Sequence, residues 1–143
     1  MSTAYYISRE LEIPIIKNER LREINNGYLS GMLNEVALVK FPNVFFRTLD
    51  MNEKYPDGES QEDFYERIKV WFDEFIKVHQ NDKDNILIVT HGGVINVIYH
   101  LIKNIKWSNK NSMFKADNCA IHILDTEDMI FIEENKCDYL LDT

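Results

Sequence analysis

Two kinds of hydrophobic spacing divide this chain. Phe64, Ile68, Trp71, Phe72 and Phe75 recur three and four residues apart, which places them on one face of a helix running to about Val78. Ser60 and Asp63 stand in capping-box spacing at its start. Ile86, Leu87, Ile88 and Val89 instead form an unbroken apolar run rich in β-branched residues, which predicts a strand covered on both faces. The five residues between helix and strand, Asn81-Asp82-Lys83-Asp84-Asn85, make a polar break. Thr90 and His91 then emerge at the strand's carboxyl end. Gly92 and Gly93 remove two side chains where the backbone must turn into a helix over residues 94–102. Amides at such a helix start suit an anion.

The remaining pattern is weaker. Residues 3–11 suit a helix with Ala4, Ile7 and Leu11 on one face, stopped by Pro14. Residues 13–16 suit a short strand, 17–23 a polar segment, Asn25-Asn26-Gly27 a loop and 33–39 a second helix, whereas 41–54 has no period. Residues 120–124 and 129–132 read as strands around Asp125-Thr126-Glu127-Asp128, and that pair predicts a hairpin. There is no internal repeat and no low-complexity linker. The expected architecture is one domain over residues 1–143: a three-layer α/β/α arrangement with helices on both faces of a mostly parallel sheet.

Charge narrows the partners. Sixteen basic against twenty-four acidic side chains leave a formal charge of -8, which argues against a broad nucleic-acid surface but not against a small anion in a locally positive pocket. Cys119 and Cys137 are isolated and lack metal-like CxxC spacing, so a reduced, cytoplasmic setting is expected. Arg9, Glu10 and Glu12 come too early for a secretory signal, and no apolar run approaches membrane-spanning length.

Four stretches then carry a resemblance. Val89-Thr90-His91-Gly92-Gly93-Val94-Ile95 resembles the second histidine motif of the histidine phosphatase family, the superfamily that includes cofactor-dependent phosphoglycerate mutase. Leu21-Arg22-Glu23-Ile24-Asn25-Asn26-Gly27 resembles the family's acidic loop, and Pro56-Asp57-Gly58-Glu59-Ser60 the segment before its long middle helix. Asp117-Asn118-Cys119-Ala120-Ile121 resembles the opening of a late strand. Family members begin with a strand bearing Arg-His-Gly, whose histidine accepts the phosphoryl group, followed by a helix and a second phosphate-binding arginine. No Arg-His-Gly tripeptide occurs in these 143 residues, and Thr3-Ala4-Tyr5-Tyr6-Ile7 resembles the helix after that second arginine. The expectation is an amino-terminally truncated relative, or a sequence that starts at an internal methionine.

The resemblance implies roles for particular residues. His91 would contact the transferred phosphoryl group and stabilise its charge. Glu23 would protonate the leaving oxygen and later activate water. Gly92, with Gly93, would shape the phosphate-binding backbone, and Arg22 and Asn118 would stand at the substrate rim. No metal or organic cofactor is required by that scheme, and the partner would be a phosphorylated small molecule or free phosphate. Each residue also has a plainer reading: His91 satisfying a backbone group, Glu23 solvated between Arg20 and Arg22, those arginines in surface ion pairs, and Asn118 in an ordinary turn. His79, His100 and His122 match no motif and read as packing or surface residues.

The function so implied is a phosphomonoester phosphatase that works through a phosphohistidine when complete. The mutase pattern Glu-Arg-His-Tyr-Gly departs here to Glu23-Ile24-Asn25-Asn26-Gly27. The alternative is an inactive phosphatase-like fragment or pseudoenzyme that binds a ligand or partner. An α/β-hydrolase would need Gly-x-Ser-x-Gly and a dinucleotide fold Gly-x-Gly-x-x-Gly, and neither is present. In the family the first strand lies beside the one resembling residues 86–90. Its lack is expected to leave that run uncovered, with self-association through the exposed sheet region as one answer.

Overall fold

A computed structural model of the chain describes residues 2–83 and 85–138; Met1, and Asp84 of the expected polar break, lie outside the described residues. Helices form where the 3.6-residue period is clear: α1 (Ser2–Leu11), α2 (Asn34–Lys40), α3 (Gln61–His79) and α4 (Gly92–Ile102). Strands β1 (Ile121–Asp125) and β2 (Ile130–Lys136) follow, and single 3-10 turns occupy Glu19–Leu21 and Gly27–Leu29. Among the described residues no helix is long and apolar enough to cross a membrane.

The start of α3 is fixed by its own sequence. Ser60 Oγ accepts from the Asp63 N–H at 3.0 Å, while the Ser60 N–H donates to Asp63 Oδ2 at 3.1 Å. This reciprocal box satisfies two otherwise orphaned amides, the kind of cap worth about 1 kcal/mol. The apolar stripe then turns inward: Phe64, Ile68, Trp71 and Phe72 are buried. Phe64 and Ile68 meet Val94 and Val97 of α4, and Trp107 closes the cluster, with Leu21 and Ile24 packed at its margin. Full burial of an aliphatic or aromatic side chain contributes roughly 1.5–3 kcal/mol, so this α3–α4 seam is the main source of cohesion. The polar groups of Asn96, His100 and Trp107 are paired. The Trp107 indole N–H donates to Asn96 Oδ1 at 3.1 Å, and buried His100 bonds the Asn96 carbonyl through Nδ1 at 2.8 Å.

The expected hairpin is present. β1 and β2 pair antiparallel, with Leu124 opposite Phe131 and Asp125 opposite Ile130, and irregular register nearer Ile121. Asp125 Oδ1 accepts from the N–H groups of Glu127 and Asp128, which sets the turn locally. One face packs on α4 through Tyr99, whose ring stacks on Phe114 at 3.9 Å and on Phe131 at 5.7 Å. Ile121, Ile123, Ile130 and Ile132 on the other face are exposed.

The sheet itself corrects the sequence expectation. Among the described residues the sheet is this two-stranded antiparallel ribbon, not a mostly parallel sheet between two helical layers. Residues 13–16 and 86–90 have no regular secondary structure. Ile86 is 46% exposed and Leu87 53%, where a strand covered on both faces was expected. The reason is that a strand, unlike a helix, takes its backbone hydrogen bonds from a neighbour. Among the described residues no backbone hydrogen bond joins 86–90 to another segment.

Candidate functional site

The chain brings residues 21–25 and 90–91 together at the amino end of α4. His91 is the N-cap of that helix, extended at φ -110 and ψ 159, and its side chain makes no capping bond. The capping acceptor comes from elsewhere. Glu23 Oε2 accepts the Gly93 N–H at 3.0 Å, and Glu23 Oε1 accepts the N–H of Ile24 at 3.0 Å. A carboxylate here also meets the positive end of the helix dipole. The approach is so close that a Cβ on Gly93 would overlap the Glu23 carboxylate. Glycine at 93 is therefore what admits Glu23. A second tie runs from the residue before His91, where Thr90 Oγ1 donates to the Leu21 carbonyl at 2.7 Å.

Behind Glu23 stands an ion-pair cluster that the sequence reading did not single out. Arg67 of α3 grips Glu59 with Nε at 2.8 Å and Nη2 at 2.9 Å, while its Nη1 donates to the carbonyls of Arg20 and Arg22 at 2.7 and 3.2 Å. Arg22 Nη2 also reaches Glu59, at 2.9 Å. Glu59 Oε2 accepts the Asn25 N–H at 2.9 Å, and the Asn25 carbonyl accepts the Glu59 N–H at 2.9 Å. Burial alone would push the Glu59 carboxyl up, but the Arg67 and Asn25 hydrogen bonds, with the charges of Arg67 and Arg22, hold it below the usual carboxylate range. The Arg67 guanidinium lies 5.2 Å from the Phe64 ring centroid.

The residues expected at the site thus separate. Glu23, His91, Gly92 and Gly93 meet at one helix start, with Glu23 half-buried and His91 and Gly92 exposed. Arg22 is beside them but its guanidinium pairs with Glu59 and stays partly exposed. Asn118 sits in the exposed turn before β1, with no hydrogen bond to Glu23 or His91 among the described residues. Arg20 forms an exposed pair with Glu74, a contact of small energetic weight. His79 pairs with Asp82, His100 is in the core, and His122 Nδ1 accepts the Asn135 N–H. Among the described residues no group of three His, Cys, Asp or Glu side chains could hold a metal ion.

Arg67 was legible in one respect. It falls between Phe64, Ile68 and Trp71 on the apolar side of α3, where a charge needs a partner. Thr90 offered no signal, because its acceptor is a backbone carbonyl far away in sequence. Chemically, the assembled group offers an exposed imidazole, helix-start amides open to an anion, and a half-buried carboxylate that can exchange a proton.

Comparison with known proteins bears on the same residues. The profile of the histidine phosphatase superfamily (branch 1) matches residues 1–133. Phosphoserine phosphatase 1 of Hydrogenobacter thermophilus is 30% identical over 128 residues, covering 88% of this chain and 59% of that protein. A putative phosphoserine phosphatase 2 of the same organism is 32% identical over 109 residues, covering 75% and 52%. A 2,3-bisphosphoglycerate-dependent phosphoglycerate mutase of Cytophaga hutchinsonii is 34% identical over 94 residues, covering 64% and 44%. The chain spans about half the length of the curated relatives it matches.

Proposed function

The chain belongs to the histidine phosphatase superfamily (branch 1), and on that premise we propose that it carries the acid and second-histidine part of a phosphomonoester phosphatase site. The observation that supports this reading best is the Glu23 carboxylate held on the Gly93 N–H, two residues after His91. In the proposed reaction a histidine supplied from outside these 143 residues attacks phosphorus. Glu23 gives its proton to the departing alcohol oxygen, so the ester bond breaks without forming an alkoxide. His91 and the Gly92 amide donate to the phosphoryl oxygens while charge develops. Water, deprotonated by Glu23, then cleaves the phosphohistidine and releases inorganic phosphate.

Phosphatase is proposed over mutase because the acidic loop departs from the mutase pattern after Glu23, and two of the relatives above are named as phosphoserine phosphatases. A small phosphomonoester is the proposed substrate class. The proposal includes a reduced, cytoplasmic setting, in keeping with two isolated cysteines, Cys119 and Cys137, that lack CxxC spacing. A second reading, ligand binding without turnover, is favoured by the absence of Arg-His-Gly from the sequence.

Hydrolysis of p-nitrophenyl phosphate and 3-phosphoglycerate separates the two readings. The 143-residue chain alone is expected to show negligible turnover. The protein expressed from its whole coding sequence is expected to hydrolyse phosphate esters and to trap acid-labile phosphate on histidine. There Glu23→Gln should slow poor leaving groups by about 10²–10⁴-fold and activated esters much less. Robust turnover of the 143 residues, lost in His91→Ala, would overturn the need for another nucleophile. Dominant interconversion of 2- and 3-phosphoglycerate would overturn the subclass. No turnover in the whole protein would favour the binding reading.

A further inference from the structure

We propose that Glu59 and Arg67 are positioning residues for Glu23, setting the path of the loop that brings its carboxylate to Gly93. The inference rests on the reading of Glu23 as the proton donor. Residues 23–26 have no regular secondary structure, so their path must come from tertiary bonds. Those bonds bracket Glu23. Before it, Arg67 Nη1 holds the carbonyls of Arg20 and Arg22. After it, Glu59 holds residue 25 by both backbone groups, accepting its N–H and donating to its carbonyl. The two brackets are one unit, because Nε and Nη2 of Arg67 fork onto the two Glu59 oxygens.

Several features argue that the pair does more than join α3 to a loop. The Arg67 and Glu59 side chains are only 13% and 14% exposed, so each carries a desolvation cost that the other offsets. The guanidinium divides its donors between an ion pair and two carbonyls in one plane, a division that a lysine ammonium does not reproduce. The loop itself contributes Arg22 to the same carboxylate. All of these contacts converge on the residues flanking position 23, and the free end of the arrangement is the Glu23 carboxylate on α4. A loosened clamp therefore acts first at the Glu23–Gly93 contact. The α3–α4 seam is built from Ile68, Val94 and Val97, with Leu21 and Ile24 at its margin.

Amide NMR of the 143-residue chain reads this without turnover, so missing hydrolysis by the whole protein would sink the functional reading and leave this one standing. The Glu23–Gly93 bond is expected to show in the Gly93 amide shift, identified by its change in Glu23→Ala. Arg67→Ala and Glu59→Ala are expected to reproduce that change. They should also speed Gly93 exchange about 10- to 100-fold relative to Val97, the scale of a hydrogen bond to a charged group. Arg67→Lys, which keeps the charge but not the fork, should show the change only in part. Where the alanine variants lose the Trp107 indole signal and so the fold, Glu59→Gln decides, because it keeps size and an acceptor for Asn25 but not the ion pair. A Gly93 amide shift and exchange rate unchanged in folded variants would overturn the proposal. So would a wild-type Gly93 amide that does not sense Glu23.

Discussion

Residues 22–27 contain two charged side chains, two asparagines and a glycine, and their backbone is pinned to α3 and α4 through Arg67, Glu59 and Gly93. Residues 86–89 are four consecutive aliphatics, and Ile86, Leu87 and Val89 stand exposed beside no partner strand. Polarity alone would have ranked these two regions the other way. The difference lies in where each finds its partners. The loop meets specific donors and acceptors on elements that form by themselves. The aliphatic run needs a neighbouring backbone, and apolar character cannot substitute for one.

The widest gap should appear in stability. Ile68→Ala, in the seam, is expected to cost about 2–5 kcal/mol. Leu87→Ala is expected to fall within about 0.5 kcal/mol, as an exposed substitution does. Urea unfolding of both variants checks this. A loss above about 2 kcal/mol at Leu87 would mean that the run is buried, and would break the comparison.

The next effect concerns the pinned loop. Glu59→Ala leaves Arg67 largely buried and uncompensated and is expected to cost about 3 kcal/mol. Acid should reveal the same bond. Glu59 is held below its ordinary value of 4.5, so its contribution is complete above that value and is lost as pH falls through the lower folded one. The stability difference between wild type and Glu59→Gln should therefore narrow from about pH 7 to about pH 3. A difference that stays constant with pH would remove the ionised pair from the account.

The smallest effect should be in the hairpin. Burial holds the His122 imidazole below its ordinary value of 6.5, against the opposing pull of Glu134. Its Nδ1 must stay unprotonated to accept the Asn135 N–H. The contribution of that bond is complete above 6.5 and declines as pH drops through the lower folded value, by under about 1 kcal/mol. Faster Asn135 amide exchange on acidification, beyond the intrinsic pH dependence and absent in His122→Phe, is the expected observation. Equal behaviour of both chains would contradict it.

The legible parts of this molecule were those with local causes. The 60–79 helix announced itself through its stripe and its Ser60–Asp63 box, and the hairpin through Asp125 and the turn beside it. The His91-Gly92-Gly93 helix start was legible for the same reason, since its glycines and its apolar helix are contiguous. Residues 86–90 were misread as a paired strand because composition reports a capacity for pairing and says nothing of the partner. The clamp on Glu23 was missed because Glu59 and Arg67 act through backbone groups of residues 20–25, which carry no side-chain signature.

Titration of the 143-residue chain with inorganic phosphate, followed by amide NMR, tests the central claim that the α4 start beside Glu23 is a phosphate site. Saturable shifts confined to residues 91–94 and 22–25, and weakened in His91→Ala, are the expected result. No saturable change there, or changes spread instead over basic surface residues such as Lys106 and Lys110, would contradict it.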